Sequence, residues 1–124
     1  MTVPMLLMIL VTVTLSAVAQ LALKFGVMSA PVKSAGGQGG LQFLLAVAAS
    51  PGVWAGLAVY GASVGLWLWV LSKTDLSAAY PFVGVSFLIT MAFGALLLHE
   101  QVTPARIAGT LLIAVGCVLV ARSV

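Results

Sequence analysis

The sequence has few of the residues that carry charge and chemistry. It contains two acids, one histidine and one cysteine among 124 residues. A single cysteine allows no disulfide within the chain, and no cysteine or histidine spacing typical of a metal site is present. Asp75 and Glu100 are separated by a whole predicted helix, so they cannot act as an acid/base pair, and His99 has no suitable nucleophile. We therefore expect no enzyme activity, no cofactor and no metal.

Basic residues are also few, and they do not cluster. The five lysines and arginines give a net charge of +3, but they are scattered along the chain. A nucleic-acid surface needs grouped Lys and Arg to neutralise phosphates, so we expect no nucleic-acid partner. Hydrophobic residues make up 63% of the chain and charged residues only 6%. A soluble domain of this size could not bury so much apolar surface, so the composition predicts a membrane protein in contact with lipids.

The apolar stretch at residues 76–100 organises the prediction. From Ser77 to Leu98, 22 consecutive residues carry no charge. As a helix they would extend roughly 33 Å, which is enough to cross a hydrocarbon layer of ~30 Å. Asp75 is the predicted N-cap of this helix. Pro81 falls within its first two turns, where a proline can kink the helix and free carbonyl groups that need partners.

The chain contains four apolar stretches of about this length, and together they predict an all-α bundle of four transmembrane helices. Ser50-Pro51 and Thr103-Pro104 each combine a capping residue with a first-turn proline. Residues 29–40 are rich in Gly, Ser and Pro and predict a flexible, water-exposed connector. Residues 41–50 are too short to span, so we expect a short interfacial helix or an extension of the next span. The single domain, residues 1–124, thus has helices at about 3–28, 51–73, 76–99 and 104–122, with the connector and interfacial segment at 29–50.

The first apolar stretch also has some features of a signal peptide. Residues 5–15 are followed by Ala17-Val18-Ala19, which imitates a small-residue cleavage site. However, no Lys or Arg precedes the stretch, and apolar residues continue to Leu23. We therefore expect it to be retained as a membrane helix. The two predicted membrane faces carry three and two basic side chains, so the positive-inside rule does not decide the orientation.

The first predicted helix carries a polar stripe. Thr12, Ser16, Gln20 and Lys24 recur every four residues, and each step of four rotates about 40° around the helix. Because polar groups facing lipid cost free energy, the stripe is expected to face protein or a water-filled groove. The alternative is helix–helix hydrogen bonding for the hydroxyl residues and snorkelling of the lysine to the interface.

Further candidates lie near the ends of the third predicted helix. The hydroxyl of Tyr80 and a carbonyl freed by Pro81 could form a hydrogen-bonding site, although a tyrosine in the aromatic belt is the alternative. Glu100 and Arg106 are candidates too, unless they form an ordinary interfacial pair. Tyr60 and Ser63 could line a path. The candidate substrate-binding residues are therefore Thr12, Ser16, Gln20, Lys24, Tyr80, Glu100 and Arg106.

Small residues predict where helices approach each other closely. The second predicted helix contains two GxxxG motifs, at Gly52/Gly56 and Gly61/Gly65. In the last helix two glycines, at positions 109 and 116, are one heptad apart and mark a close-packed face that could be a dimer seam. We expect four short helices to need a partner to enclose a path, so the protein is expected to be a dimer.

The motifs LALKF, SAAYP and IAGTLLIAVGCVLV resemble the small-multidrug-resistance type of the drug/metabolite transporter superfamily. The proton-coupled drug exporters of that type carry a glutamate eight residues before the Lys-Phe pair, where this chain has Ser16. They also carry a tryptophan where this chain has Val83. Without that acid, no group at the membrane centre can exchange a proton for a cation.

The segments LSAVAQLALK, LWLWVLSKTDLSAAYP and LLLHEQVTPARIAGTLLIAVG are similar to a lipid-flippase branch of the superfamily. Members of that branch are small paired subunits that move aminoarabinose-phosphoundecaprenol across the bacterial inner membrane. The resemblance implies a multi-pass inner-membrane protein, a lipid-linked sugar phosphate as substrate, and a homodimer or a heterodimer with a related small subunit. The Gly-rich connector differs from the more basic connector of the branch.

The resemblance and the polar residues together predict a flippase for polyprenyl-phosphate sugars. A polar groove would replace water around the head group while the tail stays in lipid. Lys24 and Arg106 are expected to bind the phosphate, and Glu100 to hold one of these cations or an amino group of the sugar. The alternatives are a small-cation, drug or metabolite exporter of the same architecture, and a membrane assembly subunit that transports nothing.

Overall fold

The computed structural model describes residues 2–123, so both ends of the predicted domain, residues 1 and 124, lie outside the described residues. The helices are α1 (Val3–Val27), α2 (Ala30–Gly36), α3 (Gly40–Ala49), α4 (Pro51–Lys73), α5 (Leu76–Ala79), α6 (Val83–Leu96) and α7 (Pro104–Ser123), with a 3₁₀ turn at Tyr80–Phe82 between α5 and α6. Four segments are long and apolar enough to cross a membrane: α1, α4, the α5–α6 unit and α7. The predicted all-α fold with four membrane helices is confirmed.

Helices α1 and α4 pack closely and run antiparallel. A methyl group at Gly52 would lie 2.9 Å from Cα of Gly26, and a methyl group at Gly56 would lie 2.8 Å from Cγ of Leu23. The first GxxxG motif of α4 is therefore filled by the end of α1. This contact lies at the end of the bundle where α1 ends and α4 begins, which we call the connector end. The opposite end, where α1 starts and α7 stops, is the terminal end.

The main hydrophobic cluster lies at the terminal end. Ile9 and Val13 from α1 meet Val70 from α4, together with Ala79 and Phe82 from the α5–α6 unit. All five side chains are almost completely buried. Val120 and Ala121 of α7 pack against the same cluster, so it joins all four membrane segments.

The third membrane segment is broken at Pro81, as the sequence predicts. Only four residues of α5 precede the 3₁₀ turn, because proline has no N–H to donate to the α-helical ladder. The segment also starts differently from the prediction. The side chain of Asp75 makes no capping hydrogen bond, and its backbone carbonyl accepts from the N–H groups of Ala78 and Ala79. In contrast, Thr103 does cap α7, since its Oγ1 accepts from the N–H of Arg106 at 3.2 Å.

The connector is more ordered than the sequence predicts. Residues 30–36, expected to be flexible and water-exposed, form helix α2, in which Val32 is buried. Pro31 supplies a first-turn residue whose φ is already helical, and the burial of Val32 stabilises the turn. The expected short helix before α4 is present as α3, with an apolar and largely exposed surface. The indole Nε1 of Trp54 donates to the carbonyl oxygen of Ala48 at 2.6 Å and so ties α3 to α4.

Ser50 has a different role from the one its position predicts. It precedes α4, but its side chain makes no capping bond to that helix. Its hydroxyl instead donates to the carbonyl oxygen of Gly26 at 3.3 Å, and the hydroxyl of Ser29 donates to the same oxygen at 2.8 Å. The backbone N–H of Ser29 donates to this end carbonyl of α1 as well, at 3.3 Å, so the two hydroxyl bonds reinforce a helix end that is already capped.

Candidate functional site

A polar cavity of about 170 Å³ lies at mid-depth between α1, α4 and the α5–α6 unit. Three of the seven candidate residues, Thr12, Ser16 and Tyr80, line it together. The polar stripe of α1 therefore faces protein over its first half. The other lining residues are Val13, Tyr60, Ser63, Val64, Trp67, Val83 and Ser86.

Three of the six hydroxyl groups around this mid-depth cavity act as acceptors towards its interior. Thr12 Oγ1 donates its proton to the carbonyl oxygen of Met8 at 2.8 Å. Ser63 and Ser86 likewise donate to carbonyl oxygens three residues earlier in their own helices, at 2.7 and 2.5 Å. Because the protons of these three hydroxyl groups are used by the backbone, their free lone pairs remain for the cavity. The cavity can therefore receive hydrogen bonds from hydroxyl or amino groups of a ligand.

Four polar or aromatic lining residues are not among the seven candidates: Tyr60, Ser63, Trp67 and Ser86. Trp67 is oriented into the bundle, with its ring 6.3 Å from that of Tyr80 in an edge-to-face arrangement at 62°. Positions 60, 63 and 67 follow the spacing of one helix face. That spacing could have shown that this part of α4 carries its polar and aromatic side chains on one side.

A second cavity, of about 180 Å³, lies nearer the connector end. Gln20 and Lys24, the second half of the polar stripe, line it together with Glu100. Thr90 and Gly94 of α6 contribute to the opposite wall. The polar stripe of α1 thus borders both cavities. The mid-depth cavity has no charged lining residue, whereas the connector-end cavity has both a lysine and a carboxylate.

The backbone after α6 places Glu100 in this cavity. The helix ends at Leu96, three residues before the predicted end, and His99 adopts a left-handed conformation with φ of 55°. The chain then turns back, and the N–H of Glu100 donates to the carbonyl oxygen of Gly94 at 2.8 Å. The carboxylate oxygen Oε2 lies where a side chain at position 94 would begin, 2.6 Å from that position. The glycine therefore makes room for the carboxylate.

Arg106 does not line the connector-end cavity. It lines an open groove of about 530 Å³, to which Thr90 and Glu100 also contribute. Its Nη1 donates to the carbonyl oxygen of Gln101 at 3.1 Å, and within residues 2–123 it forms no ion pair with Glu100. Lys24 and Arg106 thus occupy different cavities, although the sequence placed them on the same membrane face. Glu100 borders both.

A model of the EamA-like transporter family matches residues 2–122, almost the whole chain. The chain belongs to the EamA-like transporter family. Two relatives are named as probable 4-amino-4-deoxy-L-arabinose-phosphoundecaprenol flippase subunit ArnF. The protein from Photorhabdus laumondii subsp. laumondii is 34% identical over 117 residues, which cover 91% of this chain and 93% of the relative. The protein from Enterobacter sp. strain 638 is 34% identical over 116 residues, covering 90% and 89% of the two chains.

Shorter matches connect this EamA-like protein to relatives with a second subunit name. The probable flippase subunit ArnE of Pseudomonas aeruginosa strain UCBPP-PA14 is 32% identical over 74 residues, or 60% of this chain. The match spans 64% of that relative's length, which is a little under two thirds. No solved structure matches the chain significantly. The resemblance to the flippase branch is confirmed, and the relatives' names are those of flippase subunits and not of enzymes.

These findings also place this EamA-like protein in the cell. Its four segments are able to span a membrane, and its relatives are bacterial flippase subunits. The protein is a multi-pass protein of the bacterial inner membrane.

Proposed function

We propose that the protein is a subunit of a flippase that moves a polyprenyl-phosphate-linked sugar across the bacterial inner membrane. The observation that carries the proposal is the pair of polar cavities along α1, one at mid-depth and one at the connector end. Thr12 and Ser16 line the first, and Gln20 and Lys24 line the second. The printed names of the relatives, which specify an aminoarabinose-phosphoundecaprenol flippase, support the same substrate class.

The physical problem in flipping such a lipid is the head group. Its sugar and phosphate lose hydrogen bonds to water on entering the hydrocarbon region, whereas the polyprenyl tail prefers to remain there. The mid-depth cavity supplies hydroxyl acceptors, including Tyr80, in place of water. The tail can stay in lipid beside the bundle while only the head group passes along α1.

The phosphate needs positive charge, and the two candidate cations occupy separate sites. Lys24 lines the connector-end cavity and Arg106 lines the neighbouring groove. A phosphate that enters from the connector end would meet Lys24 first within the path formed by the stripe. Arg106, which is fixed by its bonds to the α6–α7 turn, would attract the anion to the entrance.

We further propose that the subunit works as a dimer, either with a second copy or with a related small subunit. Within residues 2–123, α7 buries only Thr110 and Cys117, so most of its surface is free to meet a partner. Methyl groups at Gly109 or Gly116 would meet no atom of these residues within 4 Å, so a second helix can approach closely on that side. The ArnE and ArnF names of its relatives support a paired arrangement.

The test is reconstitution in liposomes with a labelled polyprenyl-phosphate sugar, measuring how much label becomes accessible on the opposite leaflet. The purified subunit is assayed alone and together with a companion subunit from the same organism. Accelerated transfer in either preparation supports the proposal. If neither accelerates transfer, or if both instead exchange small organic cations for protons, the flippase proposal fails.

A further inference from the structure

We propose that Glu100 is the specificity-determining residue for an amino group on the transported sugar. It would bind the ammonium group in the connector-end cavity while Lys24 binds the phosphate of the same head group. This inference rests on the proposed flippase function and adds a selectivity to it. The head group that fits is zwitterionic, with one ammonium and one phosphate.

The first argument is that the local fold after α6 directs the carboxylate to one place. His99 adopts a left-handed backbone conformation that non-glycine residues rarely enter. The N–H of Glu100 bonds to the carbonyl oxygen of Gly94, and the missing side chain at position 94 leaves the space that Oε2 occupies. The first two features form one C-terminal cap of α6 that sets the backbone direction at Glu100, and the glycine adds the space into which its carboxylate fits.

The second argument is electrostatic. Gly94 lies in the last turn of α6, so the carboxylate is held against the end of a helix. That end carries partial negative charge, which disfavours an anion and favours a cation. The carboxylate of Glu100 and the C-terminal end of α6 therefore both present negative charge to the connector-end cavity. An ammonium group there would be stabilised by both.

The third argument is that, among residues 2–123, no lysine or arginine forms an ion pair with Glu100. Arg106 uses its guanidinium on the carbonyl oxygen of Gln101. Lys24 lines the same cavity from α1, on the wall opposite α6. A ligand with both charges can therefore place its phosphate towards the lysine and its ammonium towards the carboxylate. A ligand with only the phosphate would bring one anion close to another.

The experiment compares two lipid-linked substrates that differ at a single group. One carries an amino sugar, and the other carries the same sugar with a hydroxyl in place of the amine. Both are assayed in the liposome system with the complex that transports. We expect Glu100→Gln, which keeps the size but removes the charge, to slow transfer of the amino substrate about tenfold or more. Transfer of the hydroxyl substrate should stay the same or become faster, because a repulsion is removed.

A second variant moves the carboxylate without removing it. In Gly94→Ala the new methyl group occupies the place of Oε2, so we expect the same selective loss for the amino substrate. Gly61→Ala in α4 is the matched control, since a methyl group there meets open space among the described residues and position 61 lines neither cavity. If Gly94→Ala does not fold, Glu100→Gln alone decides the question.

The outcomes separate this inference from the proposed function. Equal effects of Glu100→Gln on both substrates, or no effect on either, would overturn the assignment of Glu100 but leave the flippase proposal standing. Transfer of neither substrate by the unmodified complex would overturn the flippase proposal itself.

Discussion

The thiol of Cys117 donates a hydrogen bond to the carbonyl oxygen of Pro81, which lies 3.0 Å away and 36 residues earlier in the chain. This bond joins α7 to the 3₁₀ turn that interrupts the third membrane segment. Gly84, just after the turn, contacts Ile113 of α7 so closely that no side chain fits between them. The irregular point of the third segment is therefore held by the fourth.

Cys117→Ala should destabilise this junction. The substitution leaves a backbone carbonyl without its side-chain donor inside an apolar bundle, at an expected cost of about 1 kcal/mol. Cys117→Ser keeps a donor of similar size and is the control. Thermal unfolding of the two variants in detergent micelles checks the prediction, and an alanine variant as stable as the unmodified protein would contradict it.

Gly26→Ala should disrupt the contact between α1 and α4. A methyl group at position 26 would lie 2.6 Å from the backbone nitrogen of Val53, and backbone cannot move aside as a side-chain end can. We expect a loss of stability of about 1–3 kcal/mol from overpacking. Gly61→Ala is the matched control in α4, where the new methyl group meets open space among the described residues. Equal stability of the two variants, measured by denaturant unfolding in micelles, would show that the helices do not meet at Gly26.

His99 should be replaceable by glycine but not by valine. The left-handed conformation at φ of 55° costs a non-glycine residue about 1–2 kcal/mol, and a β-branched side chain is especially unsuited to it. We therefore expect His99→Gly to keep stability and transport, while His99→Val lowers both. If the glycine variant loses transport while remaining folded, the imidazole has a direct role that the backbone argument does not include.

Ser63→Ala and Ser86→Ala should slow head-group passage through the mid-depth cavity. Each substitution removes one acceptor, worth about 1 kcal/mol, which corresponds to roughly a fivefold fall in transfer rate. Ser72→Ala is the control, because its hydroxyl makes the same kind of bond, to the carbonyl oxygen of Trp69, but does not line the cavity. Liposome transfer rates that fall equally in all three variants would argue against a role for this cavity.

Lys24→Ala should reduce transfer of a phosphate-bearing lipid without preventing membrane insertion. Its loss removes the positive charge that lines the connector-end cavity, so we expect about a tenfold slower rate. Lys24→Arg should restore much of the rate, and Lys33→Ala, which removes an exposed lysine of α2, should have little effect. Full activity of both Lys24→Ala and Arg106→Ala would remove the phosphate assignment.

Much of the architecture followed from the sequence, because the features concerned are local. Uninterrupted apolar length determines which segments can span a bilayer, and proline at position 81 breaks its helix wherever that helix packs. The four-residue spacing of the polar stripe also fixed which side chains of α1 share a face. These properties depend on neighbours along the chain and were therefore predictable without tertiary information.

Only the tertiary structure decided how those elements use their side chains. Ser50 looks like an N-cap in sequence, yet its hydroxyl bonds to Gly26 because α1 ends beside α4. Lys24 and Arg106 share a predicted membrane face but line different cavities, which no spacing rule can show. The position of Glu100 depends on one left-handed residue and one glycine, so it became visible only when the chain was folded back on itself. Contacts between helices depend on their rotation and approach, and those are set by packing rather than by sequence periodicity.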